Sequence, residues 1–252
     1  MKIIFIILFL FSNLFYCQNY TPDFDISKFI QSGGISKEIY HKKNGKLELS
    51  DQFYYNKDSA LINRITNQTL PDGGLLKKIK YFLDSQNRVI KEEIQTVNAD
   101  SNPGTYSTQI VTYSYFNSHQ IISFHDKKNK VYLKKYYFYN DKRELIESFT
   151  ISNDDLTLHE RNIYYKKDGY QINEKETYTG LKYKTIVKTK FDKNRFPIYI
   201  ESKGRLIQDN EEIPKQIAYY ENEIDGKGNL SKVFIIEGKK KILIKEVINR
   251  YK

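Results

Sequence analysis

Val131-Tyr132-Leu133-Lys134-Lys135-Tyr136-Tyr137-Phe138-Tyr139-Asn140 decides the fold class. The run is built from aromatic and aliphatic residues with lysines set among them, and it ends on a residue that favours turns. A lysine-bearing segment with alternating aromatics fits a half-exposed antiparallel strand better than a strand buried on both faces. Ile110-Val111-Thr112-Tyr113-Ser114-Tyr115-Phe116 reads the same way. No long stretch places apolar residues at helical spacing, so the chain is one of short strands separated by Asn, Asp, Lys and Gly clusters.

Aligning the turns exposes a period. Taking Asn56, Asp84, Asn117, Asn140, Lys166, Asp192 and Asp225 as position zero, the residue before is always apolar or aromatic: Tyr55, Leu83, Phe116, Tyr139, Tyr165, Phe191 and Ile224. Five residues after it stand Leu61, Val89, Ile122, Leu145 and Leu230 in five of the units. An Asn or Asp side chain accepts from the backbone two residues on and so starts a type I turn. A later Gly or Asn, as in Gly228-Asn229, then absorbs a left-handed conformation. A unit of about 26 residues holds two strands and two turns, so the seven units read as an antiparallel meander. Tyr40 to Leu47, with Asn44-Gly45, reads as an eighth, degenerate turn.

Tyr54-Tyr55-Asn56…Leu61, Tyr81-Phe82-Leu83-Asp84…Val89 and Ile224-Asp225-Gly226-Lys227-Gly228-Asn229-Leu230 resemble the YD (RHS-type) repeats of secreted bacterial proteins. Tyr40 to Leu61 more weakly resembles the Tyr-x-x-Asn-Gly repeats of MORN-like proteins. The resemblance implies a β-hairpin repeat and a secreted setting. Large RHS proteins form closed β-shells; seven short units look too few for closure. The expectation is therefore all-β, an antiparallel meander of hairpin repeats forming a curved open sheet or a partly closed structure.

Residues 1–17 read as a signal peptide: Lys2 is followed by the apolar run Ile3 to Phe11, too short to span a bilayer, and polar sequence begins at Gln18. Cys17 supports two readings. Leu14-Phe15-Tyr16-Cys17 resembles a lipobox, with bulky Tyr16 where a small residue is expected, and would make Cys17 the lipidated residue of an envelope lipoprotein. Cleavage after Cys17 instead leaves Gln18 first, which resembles the export signals of flavobacteria. Residues 18–36 carry no repeat and read as a tether or short helix; residues 37–252 form the repeat domain.

Composition narrows the function. With 39% apolar residues, 29% charged residues, a single Cys and a mean hydropathy of -0.65, the chain is neither a multi-span helical membrane protein nor a disulfide scaffold. Its 22 Tyr and 15 Phe are too many for a disordered chain. No nucleophile elbow, zinc-protease helix, phosphate loop or dinucleotide fingerprint occurs. His119 and His125 fall on one strand face, about 20 Å apart at about 3.3 Å per residue, too far to share a metal unless the strand bends. Adjacent carboxylates such as Glu92-Glu93 face opposite ways on a strand. No cofactor is implied, and a hydrolase with an unrecognised site stays as an alternative.

The net charge of +10 is spread over the chain, with Lys-rich spots at Lys127-Lys128-Asn129-Lys130, Lys182 to Lys190 and Lys239-Lys240-Lys241. Lysine interleaved with tyrosine suits an anionic partner through charge plus ring stacking. For an exported protein that means acidic polysaccharide, an anionic envelope surface or another envelope protein, and no nucleic acid. The candidate binding residues are Tyr115, Tyr137, Tyr139, Tyr164 and Tyr165, on an aromatic face of the sheet. The function expected is a non-enzymatic interaction protein of the envelope or extracellular space.

Overall fold

The computed structural model describes residues 30–43, 45–56, 61–70, 73–98, 106–208 and 210–251. Sixteen strands follow one another in chain order. The first eight are β1 (Gly34–Lys43), β2 (Lys46–Asn56), β3 (Leu61–Leu70), β4 (Gly73–Leu83), β5 (Val89–Asn98), β6 (Tyr106–Tyr115), β7 (His119–His125) and β8 (Val131–Tyr139). The others are β9 (Leu145–Ser152), β10 (Leu158–Lys167), β11 (Tyr170–Thr177), β12 (Tyr183–Phe191), β13 (Pro197–Leu206), β14 (Glu212–Ile224), β15 (Leu230–Glu237) and β16 (Lys240–Tyr251). Each pairs antiparallel with its neighbours in sequence, and β1 pairs with β16, from Gly34↔Tyr251 to His41↔Lys245. The meander of hairpins is as expected, but the open or partly closed sheet is not: the sheet closes into a sixteen-stranded barrel. Seven aligned units and the N-terminal hairpin make eight hairpins, and these are enough.

The aligned turns share one rim, because each joins an even-numbered strand to the next. At Asp84, Asn140, Asp192 and Asp225 they have one construction. The side-chain Oδ1 accepts from the backbone N–H groups two and four residues on, for Asp192 from Asn194 at 2.8 Å and Phe196 at 2.9 Å. The residue three positions on takes a positive φ: Asn87, Arg143, Arg195 and Gly228 at 58°, 58°, 67° and 79°. A register shift follows in every case, which makes the motif a type I turn closed by a bulge. The residues before and five after the Asx are then Cα partners: Leu83↔Val89, Tyr139↔Leu145, Phe191↔Pro197 and Ile224↔Leu230. Asp126 builds the same turn at the opposite rim, with Asn129 at 62°. The Lys166 unit turns instead on the two-residue loop Asp168-Gly169, both at positive φ.

One face of the sheet carries most of the buried apolar side chains. It carries Ile62, Ile79, Tyr81, Ile94, Val111, Tyr113 and Ile122 in an apolar cluster over β3 to β9, and Val187, Ile200, Tyr220 and Val233 in a second over β12 to β15. This is the inner face. Ile30, helical together with Gln31, packs against the first cluster, and β1 begins at Gly34, inside the stretch expected to be a tether or short helix. The expected signal peptide, residues 1–17 with Cys17, lies outside the described residues.

At the seam, Asp225 does more than shape a turn. Its Oδ2 accepts from the Tyr251 hydroxyl and from Asn249 Nδ2 at 3.0 Å, while Asn229 Nδ2 donates to Ser32 Oγ and Tyr251 Oη. Among the described residues, the Asp192 carboxylate bonds only within its turn. Asp192→Ala is therefore expected to cost about 1–2 kcal/mol in urea unfolding, and Asp225→Ala at least about twice that. Equal losses would show that the seam contacts contribute nothing.

Candidate Tyr-Lys face on the outer wall

Strand pairing fixes which side chains share the outer wall. Across β11 to β14 one row runs Tyr170, Lys190, Tyr199, Tyr219, since Lys190 and Tyr219 are both Cα partners of Tyr199. The Tyr170 and Tyr199 rings lie 5.6 Å apart and the Tyr199 and Tyr219 rings 5.2 Å, both edge to face. Tyr219 is 53% exposed. A second row runs Tyr165, Ile172, Lys188, Glu201, Ile217. Ile172 is buried although it faces out, flanked by Tyr165 and Lys188.

Glu201 is the electrostatic centre of this wall. It accepts from the Tyr199 hydroxyl at 2.7 Å and pairs with Lys215 at 2.9 Å and Lys188 at 3.5 Å. The Tyr199 hydroxyl first, then Lys215, hold its carboxyl down at about 2, against the opposing effect of burial. Glu201 in turn pushes the Tyr199 hydroxyl up to about 12. Lys190, Lys203 and Arg205 point outward from β12 and β13, are exposed, and form no ion pair with any described residue. The wall thus presents ring edges and faces beside the exposed ammonium groups of Lys190 and Lys203, with Arg205 opposite Glu212 at its edge.

The tyrosines expected from sequence divide between the two faces. Tyr165 is on the outer wall, where its hydroxyl donates to Glu174 Oε1 at 2.7 Å. Tyr115, Tyr137, Tyr139 and Tyr164 share the inner face instead. The Tyr115 hydroxyl donates to the Val89 carbonyl at 2.7 Å, the Tyr139 hydroxyl to Gln120 Oε1 at 3.3 Å, and Tyr164 meets Ser148 Oγ at 3.4 Å. Burial, with Glu160 second, pushes the Tyr137 hydroxyl well above its ordinary range. Tyr170, Tyr199 and Tyr219 were missed, although Tyr199-x-Glu201-x-Lys203-x-Arg205 alternates with a period of two and marks a wet strand face.

Neither histidine of β7 approaches a metal site. His119 stacks on Phe116 at 4.3 Å, and His125 Nε2 meets Thr112 Oγ1 at 2.9 Å. Among the described residues no three His, Cys, Asp or Glu side chains come together to hold a metal.

No family model matches the chain, and no curated protein does. Among solved structures it is similar to a porin-like protein from Bacteroides uniformis ATCC 8492, at 7% identity and a TM-score of 0.43, over 86% of this chain and 96% of that one. It is similar too to a porin-like protein from Bacteroides vulgatus ATCC 8482, at 8% identity and a TM-score of 0.39, over 87% and 99%. The likeness is too loose to carry an argument about this chain.

The Tyr199–Glu201 bond has a pH signature. A carboxyl held below its ordinary value stabilises the fold above that ordinary range, and the contribution is lost as pH falls toward about 2. A raised tyrosine contributes fully below about 10, and its contribution is lost as pH rises through about 12. Tyr199→Phe is expected to move the Glu201 titration upward in carboxylate-selective NMR. An unmoved titration would mean that the lysines alone hold it down.

Proposed function

We propose that this is an exported, non-enzymatic interaction protein of the cell envelope or extracellular space, whose outer Tyr-Lys face binds acidic polysaccharide. The observation that carries the reading is the juxtaposition of Tyr199 and Tyr219 with the exposed Lys190 and Lys203, which form no ion pair with any described residue. An extended polymer reaches an outer wall without threading the barrel. Tyrosine rings take the apolar faces of sugars, and the ammonium and guanidinium groups take carboxylates or sulfates.

The rest of the outer wall supports an aqueous setting. A barrel that crosses a bilayer turns an apolar band about 25 Å tall toward lipid, and a Lys or Arg at the midplane costs about 2–4 kcal/mol. Here Lys80, Glu93, Lys134, Arg161, Lys188 and Lys232 point outward from the strands. Ion pairs lace the same surface, among them Lys91–Glu93, Arg161–Glu147 and Lys241–Glu221, each at 2.7 Å. Such a wall is made for water, so the barrel acts as a binding surface rather than a lipid-embedded pore.

The chain without residues 1–17 is expected to be monodisperse without detergent and to partition into the aqueous phase of a detergent phase separation. It is expected to bind alginate but not dextran, with affinity falling as salt rises. The double variant K190E/K203E should weaken alginate binding at least tenfold, and Tyr219→Ala should weaken the binding that remains at high salt. Equal binding to dextran, or an unaffected double variant, would overturn the reading.

A further inference from the structure

The inner wall of β7 and β8 carries hydrogen-bond donors that no described residue uses. Gln120 is only 3% exposed, its Oε1 accepts from the Tyr139 hydroxyl, and its buried Nε2 donates to no described group. Its Cα partner across the ladder is Tyr137. Two residues back, Lys135 shares the same face, and its ammonium lies 5.4 Å from the Tyr137 ring centroid. Lys135 forms no ion pair with any described residue.

Glu160, the described inner-face carboxylate that acts on Lys135, is already engaged. Glu160 pairs with Lys175 at 2.7 Å and accepts from Asn162 Nδ2 at 2.8 Å. Asn162 also reaches Ser148 Oγ at 3.3 Å. Two ammonium groups thus face one carboxylate, and the second ammonium is left over. Burial lowers the Lys135 pKa, with Glu160 opposing it; an arriving anion would relieve that burden. Around this point Tyr115, Tyr139 and Tyr164 are only partly buried on the inner face, where they pack against the apolar cluster and turn their rings toward the donors' side of the wall.

We propose that Gln120, Lys135 and Tyr137 form an oxyanion site inside the barrel for a small sugar acid. The carboxylate or sulfate of the ligand takes the Lys135 ammonium and the Gln120 Nε2–H, with the Tyr137 hydroxyl as a neutral donor beside them. The sugar ring lies against the partly exposed tyrosines. Charge-assisted bonds are the strong ones in such a setting, and a buried donor left unsatisfied is costly enough that a ligand able to satisfy it gains selectivity over one that cannot. This site is separate from the outer wall: it takes a monomer-sized acid, whereas the outer face takes a polymer.

Calorimetric titration of the chain without residues 1–17 with glucuronate, with glucose as the neutral control and inorganic sulfate as the bare oxyanion, tests the site. Glucuronate is expected to bind at one site per chain, glucose not to bind, and sulfate to compete with glucuronate. Lys135→Met should weaken glucuronate at least tenfold while leaving the unfolding midpoint unchanged or higher, since it removes an uncompensated buried charge. Gln120→Glu places an internal carboxylate beside Lys135 and should abolish glucuronate binding, which decides the matter if Lys135→Met fails to fold. The outer-wall variant K190E/K203E should bind glucuronate as the unmodified chain does, so a failure of one reading is distinguishable from a failure of the other. No binding of either glucuronate or sulfate, or equal binding in Lys135→Met and Gln120→Glu, would overturn the inner site.

Discussion

Antiparallel hydrogen bonding between β1 and β16 leaves the sheet with no free edge, and the two faces of the wall are defined by that closure. In an open sheet either face can be covered or wet along its length. In a closed one every residue is committed to the inside or the outside, and a slip of one residue anywhere would exchange the two. The seam is locked at one rim, where Asp225, Asn229, Asn249 and Tyr251 join the last hairpin to the C-terminal strand and to Ser32 before the first. Closure also removes the edges through which lysine-poor sheets pair with other chains.

The repeated Asx turn is what keeps sixteen strands in register. Two backbone N–H groups are held by one carboxylate or amide oxygen, and the left-handed residue three positions on produces a bulge at the same place in the hairpins built on Asp84, Asn140, Asp192 and Asp225. A bulge sharpens the local twist and bends the strand, and its recurrence at one rim gives successive hairpins the same bend. The side chain at φ 58° to 67° is Asn or Arg in three of the four aligned turns, and Gly only at Gly228. The geometry therefore rests on the Asx side chain more than on glycine, which is why a search for the Gly of a YD pattern finds so few.

Strands, turns and the hairpin unit were legible because they depend on local chemistry: period-two alternation, Asx side chains and apolar residues that flank them. Closure was not, because it rests on a pairing between the two ends of the chain that no local pattern encodes. The division of the tyrosines failed for a more instructive reason. Counting back from the turn assumes one turn length. After the bulged turns, Leu83, Tyr139 and Phe191 face inward and Phe82 and Phe138 outward. At the two-residue loop Asp168-Gly169 the count slips, so Tyr164 faces inward and Tyr165 outward. At Asn117, where Phe116 closes on His119, the same slip puts Tyr115 inside. One extra residue in a turn moves an aromatic row through the wall.

The surface ion pairs do little to hold this wall together, since exposed pairs contribute about 0–1 kcal/mol each; the backbone ladders and the inner apolar clusters carry the stability. That division makes the inner polar groups the more informative ones. Along β3 to β7 the inner face is packed with Ile62, Ile79, Ile94, Val111 and Ile122, which shows that the chain can make an apolar interior where one is wanted. Across β8 to β11 the same face turns to Lys135, Ser148, Glu160, Asn162, Asn173 and Lys175. Burying an unsatisfied donor costs about 1–3 kcal/mol, a large share of the margin by which any domain is stable. Leucine or methionine at Gln120 and Lys135 would remove that cost without disturbing a single ladder. Where Glu92 on the same face is met by the Tyr113 hydroxyl, Gln120 Nε2 and the Lys135 ammonium find no such match among the described residues, and an interior that keeps them is shaped by something other than packing.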